Sequence, residues 1–124
     1  MQTHSPSLSM VRAEQIPARS DRSEAQTLHF PSSLMRDLEA VSQSIGHSIH
    51  WCLAAAWRIA ESTDDELLSY TGDRRMLRGP KEAVRVELSL STWRHLTAEA
   101  EHLDRSKSWL LQRAWLLARD HIHV

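Results

Sequence analysis

Eight histidines, five tryptophans and a single cysteine are the side chains of this 124-residue chain best equipped for chemistry. Their spacing limits what that chemistry is. His47 with His50, and His121 with His123, stand at intervals suited to a pair of metal ligands. A structural zinc centre needs four donors, and neither a second cysteine nor a tight carboxylate cluster completes either pair, so no metal site is expected. There is also no glycine-rich phosphate loop and no nucleophile matched to a base. The expectation is a non-enzymatic protein without a cofactor. Charge is a better lead. Arg74, Arg75, Arg78, Lys81 and Arg85 follow one another with only Glu82 against them, and such a basic arm attracts anions. Ser48 and Ser106 stand where helices are expected to start, and a helix start offers free N–H groups to an anion. His47 and His50 flank the first cap, Arg105 and Lys107 the second.

The elements that must hold these residues are written twice. "HSIHWCLAAAWRIA" from His47 aligns without a gap on "RSKSWLLQRAWLLA" from Arg105, at an offset of 58. Ser48 falls on Ser106, Trp51 on Trp109, and Trp57 on Trp115. Before the first copy, "QTLHFP" alternates Leu28 and Phe30 with Thr27 and His29, as a strand with one apolar face does. Pro31 suits the first turn of a helix. Leu34, Leu38, Val41 and Ile45 then follow at helical spacing, and Gly46 is a typical stop. The second copy repeats the order, with Val84, Val86, Leu88 and Leu90 alternating along a strand and a helix expected from about Ser91 to Asp104. Between the copies, Thr63 and Glu66 have the spacing of a capping box for one extra helical turn.

These readings divide the chain into a tail over 1–24, rich in Ser, Gln and Pro and expected to be disordered. A first strand-helix-helix repeat follows over 25–62, a linker with the basic arm over 63–82, and a second repeat over 83–124. About 60 residues bury too little surface for comfortable stability, so each repeat needs its twin. Trp57 and Trp115 fall on the apolar stripes of their helices and are expected in the core. The run from Trp51 to Trp57 is apolar on every side, which implies deep burial or a self-association contact. Cys52 has no partner for an internal disulfide, in keeping with a reducing cytoplasm. No apolar stretch is long enough to span a membrane, and no secretion signal is expected. Net charge is −1, so a surface for nucleic acid must be local, because such binders normally carry a basic excess.

A short strand followed by two helices, with a capping serine just after the break between them, resembles the ribbon-helix-helix family. The residues that carry the resemblance are "LHFPSSLMRDLEAVSQSIGHS" and "VELSLSTWRHLTAEAEHLDRS". "QTLHFP" with "LDRSKSWLLQRAWLLAR" is similar to the small single-unit members of myxobacterial type. The likeness implies a mainly α fold with a short two-stranded antiparallel ribbon, in which the two repeats form an intrachain pseudo-dimer. It also implies double-stranded DNA as partner, with the ribbon in the major groove and the second helix of each repeat set on the phosphates.

Carried onto this chain, the base-contact candidates are Thr27, His29, Arg85 and Glu87, since Glu87 can accept from cytosine N4. The phosphate-contact candidates are His47, Ser48, Arg74, Arg75, Arg78, Lys81, Arg105, Ser106 and Lys107. A transcriptional regulator or nucleoid-associated protein of the cytoplasm is the leading expectation. The alternative is a non-enzymatic assembly module with a degenerate ribbon, self-associating through Trp51 to Trp57, or binding a cyclic dinucleotide as the myxobacterial likeness suggests.

Overall fold

The computed structural model describes residues 22–61, 63, 66 and 74–122, and of Arg74 the backbone alone. Most of the expected tail, the rest of the proposed capping-box turn and His123 lie outside those residues. Among the described residues the chain is mainly helical, with one two-stranded antiparallel sheet and four helices of 12 or 14 residues. Strand β1 (Ser23–Pro31) leads into α1 (Ser32–Ile45) and α2 (Ile49–Ala60); β2 (Lys81–Ser89) leads into α3 (Leu90–Leu103) and α4 (Lys107–Ala118). Short 3-10 turns cover Arg74–Leu77 and Arg119–His121.

The strands pair with each other, and the register is centred on Thr27 opposite Arg85. Its ends are Ser23 opposite Ser89 and Pro31 opposite Lys81. Alternation then decides the two faces. Leu28, Phe30, Val84, Val86 and Leu88 are buried, while Thr27, His29, Arg85 and Glu87 are exposed on the other side. A lone two-stranded ribbon is marginal in water. Here the helices cover its apolar face, and α2 packs closely on α4. Leu34, Leu38, Leu53, Leu96, Leu110, Leu111, Trp57 and Trp115 fill the shared interior. Each such side chain contributes roughly 1.5–3 kcal/mol on burial.

Five of the seven residues from Trp51 to Trp57 are buried in this core, and Trp51 and Ala54 are half-buried. Burial within the chain thus accounts for the apolar run. Cys52 is fully enclosed, and loss of solvent pushes its thiol up to about 11.

Contacts recur at the sequence offset of 58. The Ser32 N–H donates to the Pro80 carbonyl and the Leu90 N–H to the Arg22 carbonyl, so each long helix has its first N–H satisfied from the opposite strand's entry. Ser48 Oγ accepts from the Trp51 N–H, and Ser106 Oγ from the Trp109 N–H, both at 3.0 Å. Helices α1 and α3 both end on a left-handed residue, Gly46 with φ 74° and Asp104 with φ 57°.

Several boundaries differ from the sequence expectation. Both strands begin two residues before the repeat boundaries at 25 and 83, because the ladder extends through polar pairs that break the apolar alternation. Pro31 closes β1 and precedes the helix instead of entering it, at φ −58° and ψ 142°. Leu90 belongs to α3, not to the strand, because Ser89 caps that helix by accepting from the Thr92 N–H. The Thr63 hydroxyl donates back to the Ala60 carbonyl at the end of α2, and residues 64 and 65 of the proposed capping-box turn lie outside the described residues. The basic arm is also more than a linker. Met76 and Leu77 pack on the core, and Ser33 Oγ donates to the Arg75 carbonyl.

Candidate nucleic-acid interface

The outer face of the ribbon gathers Thr27, His29, Lys81, Arg85 and Glu87, all exposed. Arg85 and Glu87 share a face two residues apart, and their side chains pair at 3.5 Å with 69% and 43% exposure. At that exposure the pair is held only loosely against water. Thr27 lies opposite Arg85 at the ribbon centre, His29 opposite Ala83, and Ala25 opposite Glu87.

A ribbon of two strands leaves both edges unpaired, and here the starts of α2 and α4 cover them. The His29 N–H donates to Ser108 Oγ at 3.2 Å, while the His29 carbonyl accepts from Gln112 Nε2. On the opposite edge the Glu87 N–H donates to His50 Nδ1 at 3.0 Å. The helix starts therefore flank the outer face at its two ends, α4 beside His29 and α2 beside Glu87.

Those two ends differ in charge. At the α4 end, Arg105 lies 4.9 Å and Arg113 4.0 Å from the Trp109 ring centre. Beside them opens a groove of about 440 Å³ lined by His29, Lys81, Ser106, Ser108, Trp109 and Arg113, among others. At the α2 end, His47 stacks on Trp51 with ring centres 4.0 Å apart. Ser42 donates its hydroxyl to the His47 carbonyl, tying that loop to α1.

Of the other phosphate-contact candidates, Arg75 and Arg78 are exposed beside the α4 end of the ribbon, and only the backbone of Arg74 is described. Lys107 is turned elsewhere. Its ammonium donates to Gln26 Oε1 at 2.7 Å and lies 5.6 Å from the Trp93 ring centre. Ser48 and Ser106 use their hydroxyls as caps, leaving the neighbouring backbone N–H groups to face an anion. Arg113, Ser108 and Gln112 were missed by the sequence reading. The spacing of Trp109 and Arg113, four residues apart on one helix, was the signal for the first of them.

Two polar links between the halves also went unread. Trp115 Nε1 donates to Asp37 Oδ2 at 2.9 Å, and Arg119 reaches the same carboxylate at 2.8 and 2.7 Å. At the equivalent place, Trp57 Nε1 donates to His95 Nδ1 at 3.1 Å, with Glu61 Oε1 3.2 Å from that nitrogen. A cavity of about 140 Å³ lies beside His95, walled by Trp57, Arg58, Glu61, Ser91 and Thr92 among others.

No group of three metal-ligating side chains converges among the described residues. None of their helices is long and apolar enough to cross a membrane. No family model, curated protein or solved structure matches the chain.

Proposed function

We propose that this chain is a double-stranded DNA-binding protein, a transcriptional regulator or nucleoid-associated protein, built as two ribbon-helix-helix units that share one ribbon. The observation that carries this reading is the outer ribbon face: exposed Thr27, His29 and Arg85 between two serine-capped helix starts. A two-stranded element fits the major groove, where Arg and polar side chains meet base edges. The flanking helix starts then meet the phosphates, which Lys81, Arg105 and Arg113 would help to neutralise. On this reading the protein works in the cytoplasm, on the nucleoid.

The Arg85–Glu87 pair at 3.5 Å favours a second reading, an assembly module whose ribbon no longer reads bases. Self-association through α2 has only the half-buried Trp51 and Ala54 to offer from its apolar run.

Titration of generic duplex DNA at several salt concentrations separates the two. A DNA binder loses affinity steeply as salt rises, through counterion release. Absence of affinity at low salt sinks the leading reading and leaves the assembly module. The same titration with a cyclic dinucleotide in place of DNA tests whether the α4 groove takes that smaller phosphate ligand instead.

A further inference from the structure

Resting on the DNA reading, we propose that the protein grips the duplex in one orientation and selects a site without two-fold symmetry. The ribbon register is symmetric about Thr27 opposite Arg85, so two equal halves would impose a two-fold on their site, as symmetric dimers do. At four pairs of equivalent positions the side chains around that centre break the symmetry in the same sense. Lys81 stands where the other end has Ser23, and His29 where it has Glu87. Arg105 stands where the other end has His47, and Arg113 where it has the buried Ala55.

Four equivalent positions therefore place the more positive residue at the α4 end. Three of these residues, Lys81, His29 and Arg113, line one groove, and Arg105 shares the Trp109 ring with Arg113. Against this, Arg22 adds a cation near the start of β1, with Glu24 two residues on and Glu87 in the facing strand. Field strength falls off over about 8–10 Å at physiological salt, so each end of the ribbon acts on its own stretch of backbone. The α4 end neutralises phosphates. The α2 end presents Glu87 to the groove, where a carboxylate is tolerated beside a cytosine amino group and little else. Backbone grip is thus weighted to the α4 end, and the carboxylate that narrows base choice lies at the α2 end.

The test is selection from a random duplex pool with the full chain, followed by salt titration. The selected consensus is expected to lack two-fold symmetry. Lys81→Gln with Arg105→Gln should flatten the salt slope by about two, at ~0.9 per phosphate contact. The symmetrising variant Ser23→Lys, His47→Arg, Glu87→His should steepen the slope by a similar amount and push the consensus towards a palindrome. Circular dichroism and urea midpoints establish that the variants fold. A palindromic consensus for the parent, or binding with no sequence preference at all, overturns the proposal. Loss of the DNA reading itself appears separately, as no affinity for any duplex at low salt.

Discussion

Trp115 and Arg119 both lean on Asp37, while Trp57 and Glu61 both lean on His95. The two clusters occupy equivalent places, yet the charges are exchanged between the helices. The exchange changes what each cluster can satisfy. A carboxylate has two oxygens and several lone pairs, so Asp37 serves an indole and a guanidinium together. His95 offers one nitrogen to both neighbours. A single ring nitrogen serves one of these neighbours at a time, and in the structure it accepts from the Trp57 indole. One cluster satisfies both of its neighbours, and the other only one.

Truncation of the tryptophans should produce the largest effects and the smallest difference. Trp57→Ala and Trp115→Ala remove side chains that are 2% and 0% exposed. Each should cost about 3–5 kcal/mol in urea denaturation, by transfer and cavity terms. A difference above about 2 kcal/mol would show that the halves are not equally packed.

The links themselves come next. Asp37→Ala strands an indole and a guanidinium, and should cost about 1.5–3 kcal/mol, the range for hydrogen bonds to charged groups. His95→Ala should cost about 1 kcal/mol or less, because His95 is 45% exposed. Equal losses would abolish the distinction.

The smallest effects lie at the helix ends. Gly46→Ala forces a β-carbon into a left-handed position and should cost about 1 kcal/mol, although nothing within 4 Å obstructs it. Asp104→Gly relieves the same strain in the other half and should stabilise by a few tenths of a kcal/mol. Both are read from the urea midpoint.

Alkaline pH probes the interior that both halves share. The Cys52 thiol, raised to about 11 in the folded chain, favours folding while it stays neutral. That contribution is whole below the free thiol's value and is lost as pH rises through about 11. Thiol reagents should accordingly label Cys52 only after unfolding, and rapid native labelling would contradict its burial.

The repeated helices, their serine caps and the apolar faces of both strands were legible in the sequence, because those features depend on periodicity and neighbours a few residues away. Ser48 and Ser106 needed only the helix start three residues on. The Asp37 and His95 links were not legible. Their partners lie 78 and 38 residues away, and an isolated Asp or His at a helix surface gives no sign of them. Lys107 misled for the same reason: its sequence position beside a cap says nothing of Gln26, 81 residues distant, to which it donates. The ribbon ends were misjudged because Ser23, Glu24, Lys81 and Glu82 do not follow the apolar alternation; the ladder pairs them through the backbone, and the Trp93 indole also donates to the Glu24 carbonyl.

The antiparallel pairing of β1 with β2 inside one polypeptide has a consequence for how the protein survives dilution. A fold assembled from two chains comes apart by mass action when copies are scarce. Here the partner strand is covalently supplied, so its local concentration is fixed by the chain and not by expression level. The melting temperature should stay constant across protein concentrations, and mixing two variants should yield no exchanged species. Each half can therefore accumulate substitutions separately, since across the ribbon it faces the other half and not a copy of itself.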